Sequence, residues 1–297
     1  MKAQNRIWLI GGTQESADLA QALTQQQISY VVSVTTESAR SLYTDGLFGC
    51  VWVDRLTAAS LPQFLQQYNI VAVLDASHPF AVEISQLAIA TCKHQQIPYL
   101  RYERPHCNPE SHSSSVMPHS STAITNHQPP TAHASTDPEQ RTIPNPQSPI
   151  PNSPLILDSF KSLLSSHYLT GQRVFLTTGY RSLERFKPWQ DQAVLFARIL
   201  PSMTALEAAI AAGFTPDRIV ALRPPISADL ERALWQQWQI SMVVTKASGT
   251  AGGEDVKRQV AAELGVQLVV IARPEIAYPE QTSDLSVALE FCQSFCT

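Results

Sequence analysis

Two short stretches concentrate the residues that ligand chemistry needs. Gly11, Gly12, Gly249, Gly252 and Gly253 are five of the chain's 11 glycines, and they fall in two loops. Glycine lets a backbone come close to a bound group, and free N–H groups at a helix start favour an anion. In the first stretch, Ile7-Trp8-Leu9-Ile10 runs into Gly11-Gly12-Thr13-Gln14-Glu15-Ser16. Strand, glycines and helix start make the place where a dinucleotide pyrophosphate binds, although the full G-x-G-x-x-G is not present. The same residues would equally serve as a tight turn with Thr13 as the helix N-cap. In the second, Val243-Val244-Thr245-Lys246 leads into Ala247-Ser248-Gly249-Thr250-Ala251-Gly252-Gly253, then Glu254, Asp255 and Lys257. The lysine precedes the glycines, so this is not the phosphate loop of nucleotide triphosphatases. It reads as an anion loop headed by a cation, with a plain surface Lys246 as the alternative.

Other candidates sit where apolar runs end. Tyr30 to Val34 ends in Thr35-Thr36-Glu37 with Arg40 following. Hydroxyls and an arginine at this point suit a 2′-phosphate and favour NADP over NAD; Glu37 aimed at the ribose would reverse that preference. Leu74-Asp75-Ala76-Ser77-His78-Pro79 closes another run, with Pro79 suited to the first position of a helix and Ser77 or His78 to its cap. Asp75 and His78 are candidate proton donors, and Ser77 a candidate cofactor contact, because open α/β sheets bind ligands at strand carboxyl ends. A capping cluster without chemistry is the alternative. Arg101 and Arg104 could bind carboxylates or form salt bridges with Glu103. Thr178-Gly179 repeats the turn chemistry more weakly. Arg198 interrupts an apolar strand, which is costly unless its head is paired or reaches a ligand.

The elements that must position these residues alternate. Strands are expected at 6–10, 30–34, 50–53, 71–74 and 98–101, with helices near 14–27, 57–67 and 79–95 between them. After residue 155 the pattern resumes, with strands at 174–177, 193–199, 219–222, 242–244 and 267–271. Helices near 202–212, 227–238 and 252–263 separate them, and 284–296 forms a last helix. Strands apolar on both faces alternating with helices predict parallel sheets covered by helices. The fold class is α/β, with two Rossmann-like doubly wound domains, 1–105 and 155–297, and a cleft between them. Between the domains, 106–154 holds ten of the 21 prolines and five of the eight histidines. Without apolar periodicity it reads as a disordered linker or insertion. His106, His112, His119, His127 and His133 match no ligand spacing, so no metal is expected.

Composition narrows the functional class. With 21 Lys+Arg against 25 Asp+Glu in 297 residues, the net charge is −4 and no basic stripe is present, which argues against nucleic-acid binding. Cys50, Cys92, Cys107, Cys292 and Cys296 are odd in number and form no CxxC pair, so a reducing, cytoplasmic setting is expected. The Ile7–Ile10 run is too short for a signal sequence, no stretch reaches membrane-span length, and a monomer is expected.

Taken together the motifs resemble the precorrin-6A reductase family, cobalt-precorrin-6A reductases included. The resemblance lies in Gly11-Gly12-Thr13-x-Glu15, Ser33-x-Thr35 with Arg40, and Asp75-Ala76-Ser77-His78-Pro79-Phe80-Ala81. It continues in Pro98-Tyr99-Leu100-Arg101 and Arg104-Pro105, then Thr178-Gly179 and Arg198-x-Leu200-Pro201. Thr245-Lys246-x-Ser248-Gly249 with Gly252-Gly253 and Lys257, and Arg273-Pro274, complete it. It implies NADPH and a polycarboxylate tetrapyrrole between two Rossmann-like domains. The implied reaction is hydride transfer to one carbon of a ring double bond and a proton to its neighbour. It assigns Gly11, Gly12, Thr13, Glu15, Thr35, Arg40 and Ser77 to the cofactor. Arg101, Arg104, Thr178, Gly179, Arg198, Lys246, Ser248, Gly249, Gly252, Gly253 and Lys257 go to the substrate. Ser16, Arg223-Pro224-Pro225-Ile226-Ser227 and Ala247 depart from the family pattern. Two other functions fit the residues: a non-catalytic NADP-binding sensor, and an NADP-dependent oxidoreductase of another anionic substrate.

Overall fold

A computed structural model describes residues 4–103 and 153–296. The first unit comprises β1 (Arg6–Ile10), α1 (Gln14–Gln25), β2 (Tyr30–Val34), α2 (Glu37–Arg40) and β3 (Gly49–Val53). It continues with α3 (Leu61–Gln67), β4 (Ile70–Asp75), α4 (Val82–Gln95) and β5 (Tyr99–Tyr102). The second holds β6 (Leu155–Leu157), α5 (Phe160–Leu164), β7 (Arg173–Leu176) and a 3-10 helix over Tyr180–Trp189. After these come β8 (Val194–Ile199), α6 (Met203–Ala211), β9 (Ile219–Ala221), α7 (Ala228–Gln237), β10 (Met242–Lys246), α8 (Glu254–Leu264) and β11 (Gln267–Ile271). β12 (Gln281–Thr282) and α9 (Leu285–Gln293) end the described chain.

Strands buried on both faces explain the continuous apolar runs. In β1, Ile7 and Leu9 enter one core cluster and Trp8 and Ile10 the other, so each face of the sheet has its own helix layer. In β10, Met242 and Val244 face one cluster and Val243 the opposite one. The helix over 79–95 begins later than expected, at Val82. The Ala81 N–H donates to the His78 carbonyl at 2.7 Å, so residues 78–81 close a turn and Pro79 lies within it. Neither Ser77 nor His78 caps the helix.

Both sheets are parallel and share one order. The first runs β3-β2-β1-β4-β5-β12 and the second β9-β8-β7-β10-β11-β6. Each is the doubly wound 3-2-1-4-5 arrangement with a sixth strand added beside the fifth. Those sixth strands are exchanged. The strand after β5 in sequence, β6, joins β11, whereas the strand after β11, β12, joins β5. The C-terminal unit therefore does not run through 297. Ala288, Leu289 and Cys292 of α9 are buried against Leu19, Ala20 and Leu23 of α1 in the first unit, because that helix face is apolar and the first sheet needs a cover there. The Pro/Ser/His-rich segment lies outside the described residues, up to residue 152.

Three contacts set the units face to face. Just past β2, β4 and β5 lie Ser38, Phe80 and Glu103; Lys246 ends β10, and Arg223 and Arg273 lie just past β9 and β11. Arg223 Nη2 donates to Ser38 Oγ at 2.6 Å, and Lys246 Nζ lies 5.0 Å from the Phe80 ring centroid. Arg273 Nη1 meets Glu103 Oε1 at 2.7 Å. The carboxyl ends of both sheets thus line one interdomain cleft.

Candidate active site

At the first sheet's switch point, Thr13 caps α1. Its Oγ1 accepts the Ser16 N–H at 3.1 Å and donates to the Ala76 carbonyl at 3.0 Å, which ties the turns after β1 and β4 together. The group close to the glycine turn is Tyr43, which the sequence did not suggest. Its hydroxyl accepts the Gly12 N–H at 2.7 Å and lies 2.5 Å from Ser16 Oγ. A Cβ on Gly11 would stand 2.5 Å from Tyr43 Oη and 2.6 Å from Val32 Cγ2. Burial, outweighing the hydrogen bonds from Gly12 and Ser16, raises the Tyr43 pKa. Gly12 has φ +104°, and a Cβ there would meet nothing within 4 Å. That open side, next to the N-terminus of α1, fits a dinucleotide phosphate. Glu15 lies in the first turn of α1.

The tip of β2 is less clear-cut. Thr35 is exposed and Thr36 caps α2 through the Ala39 N–H. Arg40 is paired with Asp45 at 2.5 Å. A second arginine, Arg223, reaches the same tip from the other domain through Ser38.

Asp75 is not placed as a proton donor. It is 0% exposed and accepts from Ser85 Oγ (2.6 Å), Tyr99 Oη (2.6 Å), the Ser77 N–H (2.9 Å) and Arg101 Nη1 (2.9 Å). Four donors fill its acceptor sites. Ser77 belongs to the same network, accepting from Arg101 Nη1 at 3.1 Å. Arg101 is likewise withdrawn from the cleft, at 1% exposure, and donates through Nε to Glu103 Oε2 at 2.7 Å. Of the two alternatives for Arg101, the ion pair with Glu103 is the one formed. From Glu103 the chain continues through Arg273, whose Nε donates to the Ala247 carbonyl at 2.9 Å. Asp75, Arg101, Glu103, Arg273 and Ala247 make one polar strut across both domains. Arg104 lies outside the described residues.

His78 stands beside this network. Its Nδ1 accepts the Phe80 N–H at 3.2 Å, so the neutral ring carries its proton on Nε2.

In the second domain the loop after β10 is wound on itself. Gly249 donates its N–H to Glu254 Oε2 at 3.0 Å, and Lys257 Nζ donates to the carbonyls of Gly252 and Gly253 at 2.7 and 3.0 Å. A Cβ on Gly252 would collide with Ser248 Oγ. Lys257, 1% exposed, is therefore a clamp inside the loop rather than a substrate contact. Burial, then Arg198, lowers its pKa to about 8. Arg198 pairs with Glu231, which also accepts from Trp235 Nε1 at 3.1 Å. The arginine in an apolar strand is thus satisfied internally. Thr178 Oγ1 meets Ser182 Oγ at 2.7 Å, and Gly179, at φ +82°, starts the 3-10 helix. Among the described basic substrate candidates, Lys246 alone stands in the cleft, half-buried, between Phe80 and Phe160. Arg181 and Arg185, on the 3-10 helix, were missed. The signal was available as two arginines four apart directly after a strand-tip glycine.

Two doubly wound domains presenting their switch points to a common cleft define a two-domain Rossmann-like fold with a ligand site between the sheets. The family model described as "Precorrin-6x reductase CbiJ/CobK" matches residues 6–293, and the chain belongs to this family. It is 45% identical to a cobalt-precorrin-6A reductase of Synechocystis over 287 residues, covering 97% of this chain and 95% of that protein. Identity to a cobalt-precorrin-6A reductase of Priestia megaterium is 28%, with 92% of each chain covered. A solved structure of CobK precorrin-6A reductase superposes with a TM-score of 0.70 at 19% identity, covering 98% and 97% of the two chains, which supports the fold. The chain is accordingly an oxidoreductase of cobalamin biosynthesis acting on a CH–CH group. Among the described residues no helix is long and apolar enough to cross a membrane.

Proposed function

We propose that the chain reduces one ring double bond of cobalt-precorrin-6A with NADPH, giving cobalt-precorrin-6B. The observation carrying this reading is the cleft in which the carboxyl ends of both sheets meet through Phe80, Lys246, Glu103 and Arg273. The cobalt form is favoured by the relative at 45% identity, a cobalt-precorrin-6A reductase.

Gly12, Thr13 and the start of α1 hold the dinucleotide phosphates, with Gly11 permitting the close packing of the turn. Thr35, Ser38, Arg40 and Arg223 surround the end of β2, where hydroxyls and cations suit a 2′-phosphate and favour NADPH over NADH. When bound, the nicotinamide supplies the hydride. His78, held with its proton on Nε2 by the Phe80 N–H, relays a proton to the neighbouring carbon and takes one from water as it does so, so that the ring ends neutral. Asp75 positions rather than reacts: it fixes Arg101, and through Glu103 and Arg273 it fixes Ala247, the residue that follows Lys246.

Anaerobic mixing with NADPH and either cobalt-precorrin-6A or the metal-free form, followed by absorbance, tests the assignment. Coupled loss of NADPH and a shifted macrocycle spectrum is expected, faster with the cobalt form. NADPH binding without turnover of either form would instead support the non-catalytic NADP-binding alternative.

A further inference from the structure

The glycine turn after β1 spends its N–H groups inside the protein. Gly11 donates to the Ser33 carbonyl at 3.0 Å, Thr13 to Ser16 Oγ at 3.0 Å, and Ser16 to Thr13 Oγ1 at 3.1 Å. These three bonds extend the β1–β2 pairing and cap α1, so breaking them would undo the start of the helix. The Gly12 N–H is different. Its acceptor at 2.7 Å, Tyr43 Oη, is a side chain 31 residues away, in the segment between α2 and β3. Tyr43 Oη also lies 2.5 Å from Ser16 Oγ, whose own proton goes to the Thr13 carbonyl at 2.7 Å. The phenol therefore accepts from Gly12 and donates to Ser16. Burial outweighs these bonds and keeps the hydroxyl protonated.

A dinucleotide phosphate at this helix start needs the same Gly12 N–H, and it cannot share that donor with the phenol. The phosphate is the better acceptor, because a hydrogen bond to an ionised group is about twice as strong as a neutral one. Tyr43 is half-buried, and its backbone N–H is held by the Arg40 carbonyl at 2.9 Å. The ring can thus turn out about χ1 while the backbone stays in place.

We propose that Tyr43 is a displaceable plug on the pyrophosphate place: its hydroxyl holds the Gly12 N–H until the dinucleotide takes it, and so sets the affinity and the entry rate of the cofactor. This inference rests on the dinucleotide assignment made above. Displacement breaks the Gly12–Tyr43 and Tyr43–Ser16 hydrogen bonds, and that cost is subtracted from the binding of NADPH. A residue that the cofactor merely packs beside carries no such cost. The two glycines then have separate tasks. Gly11 makes room for the plug, since a Cβ there would stand 2.5 Å from Tyr43 Oη, whereas Gly12, open on its Cβ side, receives the incoming phosphate.

The test is Tyr43→Phe, which keeps the ring and removes the hydroxyl. Expected is a Kd for NADPH, read by nucleotide fluorescence, lower by about fivefold or more, with faster association in stopped flow. Ser16→Ala removes the acceptor of the phenol proton and leaves the ring untouched. It should tighten NADPH in the same direction by a smaller factor, and it carries the test if Tyr43→Phe does not fold. Adenosine 2′-monophosphate has no pyrophosphate, and its Kd should stay within about twofold between Tyr43→Phe and the unaltered protein. An NADPH Kd that is unchanged overturns the proposal, and so does one that rises, which would make Tyr43 a cofactor contact. Equal tightening of adenosine 2′-monophosphate also overturns it, because the effect would then lie away from the pyrophosphate. NADPH binding to neither protein would overturn the dinucleotide assignment itself and this inference with it, whereas an unchanged Kd leaves that assignment standing.

Discussion

Lys246 and Lys257 both have pKa values lowered to about 8, chiefly by burial, against an ordinary 10.5. In the unfolded chain they stay protonated to higher pH. A group with a depressed folded pKa contributes stability that is present above the unfolded value and lost as pH falls through the folded one. Each lysine therefore favours the folded state increasingly from about pH 8 upward. Cys92 and Cys292, raised to about 12 by burial, act in the opposite sense above pH 9. Comparing two proteins that share the cysteines removes their effect. The stability advantage of Lys246→Met over the unaltered chain should shrink as pH rises from 7 to about 9.5, read by urea denaturation. A constant difference across that range would mean that Lys246 is not perturbed.

The elements around the glycine turn make a different prediction. Tyr43 and β2 close on Gly11, so Gly11→Ala places a methyl into Tyr43 Oη and Val32. Overpacking of this kind costs about 1–3 kcal/mol. Adding Tyr43→Ala should recover part of that loss in thermal melts, whereas no recovery would mean that Val32 alone sets the limit. Strands such as β1, β4 and β10 were legible because each is a continuous apolar run, and most came out within a residue or two. The exchanged strands were not legible: β6 has three residues and β12 two, too few for any periodicity. The 3-10 helix escaped for a related reason, since Pro188 and three-residue spacing break the helical pattern. Its two arginines went unread with it. Candidate residues were found at the right strand ends, but the sequence could not tell which charges are spent on partners inside the protein. Asp75, Arg101, Arg198 and Lys257 all proved to be so spent.

On the scale of the whole molecule, the strut from Asp75 to Ala247 sets the distance between the two sheets. Glu103 is its middle member, bonded to Arg101 on one side and Arg273 on the other. Glu103→Gln leaves two largely buried guanidinium groups with one carboxylate fewer, at a cost of about 3–5 kcal/mol. Calorimetry should then resolve two unfolding transitions in place of one, with a lower kcat and little change in NADPH affinity. A single transition at the original temperature would show that the strut does not couple the domains.

The exchange of sixth strands also bears on how the chain is made. Synthesis delivers residues from the N-terminus, and domains commonly fold in that order. Here β6 precedes the rest of its sheet, so the second domain has all its strands once β11 has left the ribosome. The first domain still lacks β12 and α9, which follow β11 in the chain. The half that is translated first is thus the half that closes last, and the cleft it helps to line is finished only once β12 and α9 have emerged.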